Sequence, residues 1–367
     1  MLNTSSNRIT IVKVLLVLMG IAIFLFSLDL MAESFEHLEG KPLGSVINAA
    51  SNPFIGLFIG LLITALIQSS STTTTMAVAA VAAGSIPLHT AVPIIMGANI
   101  GTTLTSTIVA VGFIAKKDDF RRAISAAALH NFFNIIVILL LFPLEYKYGI
   151  ITLGSEYLVR IITGPELSTS INQVQFRFLD FSFMTSLFSY WKINPIISLL
   201  ISFLLLFGSI KILSKIIYEL ALAKSESKFN DYVFKNTLRS FGWGTFSTSI
   251  IQSSSITTSL IVPLVATGKI SLNKVMPFVL GANIGTTITA FIAVIFKSQT
   301  AVNIAIAHFL INVIGALFFF SSPLFRQLLV WAANQFGIFV SNYRFSIMIY
   351  ILMVFFIIPF LLIYLNQ

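Results

Sequence analysis

The sequence predicts an all-α polytopic membrane protein built from two related halves. Its 367 residues are 57% hydrophobic and only 10% charged, whereas a soluble domain carries about 25% charged residues. Several apolar runs are long enough to cross a bilayer, and one pair of polar motifs occurs twice at the same spacing. These observations set the fold class, because so few charges cannot cover a water-facing surface.

The apolar runs at 11–30, 193–213 and 345–365 each exceed roughly 18 residues, the length that indicates a membrane span. They show no period-2 alternation, so we expect helices and not the strands of a closed barrel. The first run has no A-x-A-like cleavage site, and we interpret it as a retained helix and not as a signal peptide.

Two motifs repeat along the chain. Residues 68–71 and 252–255 both read QSSS, and residues 97–103 and 281–287 both read GANIGTT. Both pairs are offset by 184 residues. When residues 68–103 are aligned with residues 252–287 without a gap, 20 of the 36 positions are identical. This identity exceeds what chance gives in an apolar alphabet, so we interpret the chain as an internal duplication.

Each half is expected to have the same order of helices. A first helix leads to a segment broken at its QSSS motif, then to a helix with GANIGTT, then to one with a His-x-x-x-Asn pattern. These elements are expected at 11–31, 52–84, 90–114 and 121–143, and again at 193–217, 240–267, 272–296 and 300–320. The predicted units are repeat 1 at 1–150, an extracytoplasmic or interfacial linker at 151–192, repeat 2 at 193–343 and a C-terminal helix at 344–367.

Basic residues predict the orientation of the halves. One cluster lies at 116–122 and another at 211–239, and the positive-inside rule places both in the cytoplasm. The first helices of the two halves then run in opposite directions, as in the inverted repeats of secondary transporters. The broken segments become re-entrant hairpins, and 176–191 is expected at the membrane interface.

Acidic residues are missing from both motif regions. The sequence has no Asp or Glu between 41 and 116 and none after 231. A proton relay through carboxylates is therefore excluded there, and a carboxylate-lined cation pore is disfavoured. The chain has no cysteine, and its net charge of +9 fits the positive-inside rule better than a nucleic-acid partner.

The QSSS motifs begin hydroxyl-rich stretches that favour a helix break in the membrane, because Ser and Thr can bond to freed backbone groups. A helix that restarts after the break offers unpaired N–H groups and a positive dipole end, which together bind anions. Amide, hydroxyl and carbonyl oxygens nearby are hard ligands that suit Na⁺. The motifs therefore predict a site for an oxyanion together with a small hard cation.

Packing is the alternative explanation for these residues. Hydroxyls in membrane helices commonly bond between helices, and the GANIGTT glycines form GxxxG patterns that allow close crossing. We expect the glycines to serve packing, and His130 and His308 to be buried hydrogen-bonding residues and not metal ligands. The hydroxyl-rich stretches recur at equivalent positions in the two halves, and this recurrence favours a binding site over packing as the explanation of the hydroxyls.

At these residues the chain resembles the type II sodium–phosphate cotransporter family. The likeness covers roughly 45–145 and 235–322 and includes the two QSSS motifs, PIIMGANIGT at 93–102, FRRA at 120–123 and HNFFN at 130–134. The resemblance implies sodium-driven symport of inorganic phosphate by alternating access, in the plasma (inner) membrane, with Na⁺ as coupling ion and no cofactor or catalytic residue.

The resemblance also implies roles for individual residues. The two breaks face each other at mid-membrane in such proteins and hold phosphate between them. The implied phosphate contacts are Ser69, Ser70, Ser71, Ser253, Ser254 and Ser255. The implied sodium ligands are Gln252, Ser253, Thr286 and Thr289. Supporting residues are Gln68, Thr72, Asn99, Thr102, Asn131, Asn134 and Asn283.

Three positions depart from the electrogenic animal members of that family. Those members have Asp at the position of Asn131, and a Gln and an Asp at the positions of Phe113 and Lys116. The changes predict fewer coupled sodium ions and electroneutral transport of divalent phosphate.

Rival functions remain at this stage: a transporter or exporter of another oxyanion, a membrane lipid phosphatase, or a channel. The missing carboxylates disfavour a phosphatase, and inverted repeats within one chain favour a transporter over a channel. The oligomeric state stays open.

Overall fold

The computed structural model describes residues 52–163, 193–222, 232–294 and 299–366, and part of 16–37. The predicted first helix lies partly outside these residues, and its described part contains an apolar helical stretch over Leu18–Met31. The predicted interfacial segment at 176–191 lies wholly outside them. All regular structure in the described part of the chain is helical.

The first half contains α1 to α6 and the second half α7 to α13, followed by a C-terminal helix. The helices of the first half are α1 (Pro53–Ile67), α2 (Ser70–Ala82), α3 (Leu88–Gly101), α4 (Thr103–Val111), α5 (Lys117–Tyr148) and α6 (Ile150–Thr163). Those of the second are α7 (Pro195–Leu222), α8 (Thr237–Ile251), α9 (Ser254–Ala266), α10 (Leu272–Gly285), α11 (Ile288–Val294), α12 (Gln299–Ser321) and α13 (Pro323–Asn342). The C-terminal helix consists of α14 (Ser346–Leu352), a π-helical turn (Met353–Ile357) and α15 (Ile358–Leu365).

Five helical segments among the described residues are long and apolar enough to cross a membrane, and others are apolar but shorter. The five are Leu88–Val111, Lys117–Tyr148, Leu272–Ala293, Val302–Ser321 and Ser346–Leu365. The last has only 17% of its most apolar window buried, against 78% for the first. The C-terminal helix therefore presents most of its surface outward, where lipid replaces water as the solvent.

The two predicted GANIGTT helices are present as the apolar helical segments Leu88–Val111 and Leu272–Ala293. Each has a local irregularity, at Thr102 and at Thr286–Thr287, where hydroxyls bond back to backbone carbonyls, as Thr103 Oγ1 does to Ile100 at 2.7 Å. Two other elements differ from the prediction. Helix α13 was not predicted, because its polar residues keep it below the apolar threshold of a span, and the linker begins with helix α6.

The two halves pack into each other in a reciprocal pattern. Helix α2 packs against α11 and α12, and its counterpart α9 packs against α4 and α5. Helix α6 packs against α12, and α13 packs against α5. Each broken segment is thus embedded in the opposite half, and α6 and α13 extend the repeat beyond the part that the sequence comparison detected.

Glycines permit the closest helix pairs, as predicted. A Cβ on Gly97 would overlap the carbonyl of Leu57, and one on Gly101 would overlap that of Leu61. The contact of Gly97 is with Leu57, and that of Gly101, four residues later, is with Leu61, also four residues later. The two helices α1 and α3 therefore run parallel. Helix α2 must therefore run back between them, which makes α1 and α2 a hairpin. Gly281 and Gly285 give α8 and α10 the same arrangement.

The basic residues at 116–122 and the described ones at 235–239 lie at one end of the helix bundle. Arg122 Nε donates to the carbonyl of Ala266 at 2.8 Å, and Ser240 Oγ donates to the carbonyl of Lys274 at 2.8 Å. Since a short loop joins Ala266 to Lys274, the basic residues at 116–122 and at 235–239 share this end. Helix pair α3–α4 leads toward it, and α10 begins there.

Candidate functional site

The two QSSS motifs break their helices with the same backbone geometry. Gln68 and Gln252 end α1 and α8 in the left-handed conformation, with φ of 58° and 56°. They are the two non-glycine residues with positive φ in the described part of the chain. A side chain in this conformation costs about 1–2 kcal/mol, and such outliers are concentrated at functional sites.

A serine restarts the helix after each break. Ser69 and Ser253 have extended backbones, and their hydroxyls accept the N–H of Thr72 at 3.2 Å and of Ile256 at 3.3 Å. These are ordinary N-caps, which explains the local preference for serine. The first two N–H groups of α2 and of α9, which follow the capping serines, have no acceptor within their own helix. Each motif therefore presents backbone donors at the positive end of a helix dipole.

Ser71 of the first motif directly contacts the second. Its hydroxyl donates to the carbonyl oxygen of Gln252 at 2.9 Å and lies 3.4 Å from the hydroxyl of Thr289. Thr289 Oγ1 is itself 3.5 Å from the Gln252 carbonyl. Three oxygens from three separate helical elements therefore form one cluster, and Ser71 and Thr289 are 6% and 2% exposed.

The equivalent contacts of the other motif differ. Ser255 Oγ lies 3.5 Å from the carbonyl of Thr102, whereas Ser71 is bonded to Gln252. Ser70 and Ser254 are both buried at the first turns of α2 and α9. The two motifs thus have matching backbones but unequal contacts with the opposite half.

The spacing of the oxygen cluster can be compared with that of oxygens around a bound cation. Oxygens that share an octahedral ion at about 2.4 Å lie roughly 3.4 Å from one another. The Thr289 hydroxyl lies at about that distance from the oxygens of Ser71 and Gln252, whereas those two oxygens are at the shorter hydrogen-bonding distance of 2.9 Å. The adjacent Thr286 hydroxyl is buried without a hydrogen-bond partner among the described residues. Because these oxygens are uncharged, they would suit a monovalent ion better than a divalent one.

Two histidine–asparagine pairs hold the GANIGTT helices against the opposite half. His130 Nε2 lies 3.3 Å from Asn283 Oδ1, and His308 Nε2 lies 3.1 Å from Asn99 Oδ1. The amide of Asn283 donates to the carbonyl of Val279 at 2.9 Å, so its oxygen accepts and the imidazole donates. All four side chains are buried, which agrees with the expected role of the histidines as hydrogen-bonding residues.

The remaining predicted residues lie in two places. Thr72 Oγ1 is 2.8 Å from Ser69 Oγ, and Thr102 Oγ1 bonds back to Ala98 at 3.0 Å, so both are within the motif region. Asn134 bonds to the carbonyl of His130, and Asn131 bonds to Tyr350 of the C-terminal helix at 2.6 Å. Asn131 therefore contacts a helix outside the repeat and not the serines.

Sequence reasoning did not identify two participants. Asn312 accepts the Asn99 amide at 3.3 Å, and Tyr350 bonds to Asn131. The recurring His-x-x-x-Asn pattern marked Asn312 as an echo of Asn134, so a signal existed for it. Nothing in the local sequence marked Tyr350, because its partner lies in another helix 219 residues away.

Comparison with known proteins identifies the family of the chain. The family described as "Na+/Pi-cotransporter" matches the chain over residues 23–215 and 204–341. The chain is 31% identical to sodium-dependent phosphate transport protein 2A of Ovis aries, over 96% of this chain and 67% of that protein. It is 27% identical to sodium-dependent phosphate transport protein 2B of Homo sapiens, over 95% of this chain and 64% of that protein.

No solved structure matches the chain. The family match spans both broken segments and both GANIGTT helices, and the similarity to the 2A protein extends over nearly the whole chain. The chain therefore belongs to the Na⁺/Pi-cotransporter family.

Proposed function

We propose that this protein is a sodium-coupled symporter of inorganic phosphate. The observation that carries the proposal is the meeting of the two breaks, in which Ser71 of one motif bonds to Gln252 of the other. Two helix N-termini and their serine hydroxyls then supply donors for one anion from both halves. Phosphate is the anion because the chain belongs to a family of phosphate cotransporters, which are not enzymes.

Ser69, Ser70, Ser71, Ser253, Ser254 and Ser255 are the proposed phosphate contacts. Ser70 and Ser254 hold the first helical positions after the breaks, where the free N–H groups are, so an oxyanion there would accept both amide and hydroxyl hydrogens. No carboxylate from either motif region repels the anion, since the sequence contains none there.

The coupling ion is proposed to bind in the adjacent oxygen cluster, with Gln252, Ser253, Thr286 and Thr289 as its ligands. Ser71 adds a further oxygen. Its single hydroxyl proton is donated to Gln252, so its contribution to the phosphate set is the free backbone N–H of the first helical turn. A cation bound beside Ser71 would lower the electrostatic cost of a divalent anion a few ångströms away, which gives a physical basis for coupling. The site would favour phosphate only when sodium is present.

Alternating access by inverted halves is the proposed mechanism of transport. Supporting it, α3–α4 leads toward the basic end of the bundle while its counterpart α10 begins at that end. The unequal contacts of Ser71 and Ser255 also fit a state in which the two halves are differently arranged around one site. We place the protein in the plasma (inner) membrane with the basic end in the cytoplasm.

Uptake of radiolabelled phosphate into proteoliposomes tests the proposal. Purified protein should accumulate phosphate when an inward sodium gradient is imposed, and should not do so with potassium in its place. Saturation of the initial rate would separate a carrier from a channel. Sulfate and arsenate serve as competitors. A stronger block by sulfate than by unlabelled phosphate would reassign the site to another oxyanion.

A further inference from the structure

A shallow, open cleft of about 380 Å³ lies on one face of helix α8, in the part of the helix that precedes the break at Gln252. It is lined by Arg239, Gly242, Trp243 and Phe246. These residues follow i, i+3, i+4 and i+7 spacing, which places them in one stripe along the helix. One end of the stripe is cationic and the rest is aromatic, so the cleft suits an amphipathic ligand.

The level of the cleft in the membrane follows from a contact between α8 and α10. Ser240, next to Arg239, bonds to the carbonyl of Lys274 in the first turn of the apolar span Leu272–Ala293. Arg239 therefore lies at the end of a span, at the level of the membrane surface. At 1.5 Å rise per residue, Trp243 and Phe246 lie roughly 6 and 10 Å deeper, within the bilayer.

Aromatic side chains hold the guanidinium at this edge. Arg239 lies over the ring of Tyr232 with its central carbon 5.0 Å from the ring centre. The Tyr232 ring is 6.1 Å from that of Trp243, which is 5.5 Å from that of Phe246, both edge-to-face. Arg239 has no carboxylate partner in the ranges that the structure describes, so its charge is available to an anion.

Gly242 creates the notch between the arginine and the deeper aromatics. A Cβ added there would meet no atom within 4 Å, whereas one on Gly244 would overlap the carbonyl of Phe278. Helix packing thus requires glycine at 244 but not at 242. A glycine inside a helix costs about 1 kcal/mol relative to alanine, and its effect here is to leave the cleft open.

We propose that this cleft binds an anionic phospholipid of the cytoplasmic leaflet. Arg239 would hold the phosphodiester at the headgroup level, Trp243 would lie at the glycerol level, and one acyl chain would run along the Gly242 notch past Phe246. Lys235, Lys269 and Lys274 lie at the same end of the bundle, which raises the local concentration of anionic lipid. An arginine over an aromatic ring at the membrane edge is suited to phosphate headgroups.

Quenching of Trp243 fluorescence by brominated lipids tests the proposal. The chain has three tryptophans, and the substitutions Trp191→Phe and Trp331→Phe leave Trp243 as the single reporter. The full-length protein is placed in mixed micelles with increasing fractions of brominated phosphatidylglycerol or brominated phosphatidylcholine. We expect saturable quenching with a clear preference for phosphatidylglycerol.

The variants identify the residues responsible. Arg239→Gln should weaken the apparent affinity for phosphatidylglycerol roughly fivefold, and Arg239→Lys should retain most of it. Gly242→Leu should fill the notch and lower quenching by both lipids. Lys147→Gln is the matched control, because Lys147 also lies over a tyrosine ring, at 5.2 Å. Gly208→Leu is a second control, since a Cβ there also meets open space.

Equal quenching by the two lipids, or a preference that survives Arg239→Gln, would overturn the proposal. Displacement of the brominated lipid by inorganic phosphate alone would likewise overturn it, because the cleft would then be an anion site and not a lipid site. The measurement uses neither a sodium gradient nor phosphate transport. Its failure would leave the proposed transport function intact, and failure of transport would leave a positive lipid result intact.

Discussion

The hydroxyl of Ser71 donates a 2.9 Å hydrogen bond to the carbonyl oxygen of Gln252, a residue 181 positions further along the chain. The carbonyl is available because Gln252 ends α8 in the left-handed conformation. The donor is available because Ser71 lies in the first turn of α2. One helix break thus supplies the acceptor and the other supplies the donor, so the two halves are in direct contact at their breaks.

Loss of a first-turn serine should weaken phosphate binding. Ser70→Ala and Ser254→Ala each remove a hydrogen bond to a charged ligand, worth roughly 1.5–3 kcal/mol or about 10- to 150-fold in affinity. The measurement is the phosphate concentration for half-maximal uptake, with protein in the membrane quantified in parallel. Thr258→Val is the control, because the Thr258 hydroxyl bonds to its own helix at 2.7 Å. Normal uptake by both alanine variants would remove these serines from the site.

Sodium activation should depend on Thr289. Thr289→Val keeps the side-chain volume but removes one oxygen from the cluster with Ser71 and Gln252. If the lost interaction is worth about 1 kcal/mol, as a typical hydrogen bond is, the affinity for sodium falls roughly fivefold. The sodium concentration for half-maximal uptake should therefore rise, while the maximal rate at saturating sodium is largely retained. Gln252→Gly is the companion variant, because glycine adopts the left-handed backbone and preserves the carbonyl ligand. An unchanged sodium dependence in Thr289→Val would contradict the assignment.

A cross-link between the halves should lock transport. The chain lacks cysteine, so Ser71→Cys together with Thr289→Cys introduces a single pair whose side-chain oxygens in the native protein are 3.4 Å apart. Mild oxidation should form a disulfide that abolishes uptake, and a reductant should restore uptake to the level of the unoxidised double variant. Each single cysteine variant controls for the loss of a hydroxyl. Failure to cross-link in the membrane would mean that the first motif does not meet helix α11 of the second half there.

The GANIGTT glycines should be sensitive to any side chain. Gly97→Ala and Gly281→Ala place a methyl group on the carbonyls of Leu57 and Phe241, and such overpacking costs about 1–3 kcal/mol or more. The melting temperature of the purified protein should fall in both. Gly242→Ala should leave it unchanged or raise it, because that position is open. Equal effects at 242 and 281 would show that close helix contact is not what requires glycine in the repeated GANIGTT motif.

Transport of divalent phosphate should carry no current. Asn131 is neutral, and its amide bonds to Tyr350 at 2.6 Å in a position where a carboxylate could recruit a further cation. Two sodium ions moving with divalent phosphate leave the net charge unchanged. Uptake is measured in voltage-clamped membranes at matched flux. A sodium-dependent inward phosphate current would refute electroneutrality.

The sequence predicted the broken helices, their glycine contacts and the buried histidines, since each rests on local chemistry that repeats at a fixed offset. It did not predict α13, an amphipathic helix whose buried face packs on α5. Arg326, Asn334 and Gln335 interrupt its apolar residues, so the segment does not read as a membrane span. It also missed the bond between Asn131 and Tyr350, because pairing between distant helices leaves no local pattern. The unequal contacts of Ser71 and Ser255 were equally inaccessible, since near-identical motifs predict symmetry.

Equilibrium binding of radiolabelled phosphate to the purified protein in saturating sodium tests most directly whether both halves build one site. The account predicts one phosphate per chain, with all of that binding weakened by Ser70→Ala and all of it weakened by Ser254→Ala. Two independent sites would behave differently. If either variant left half of the phosphate bound at the original affinity, the two motifs would not share an anion, and the account would be wrong.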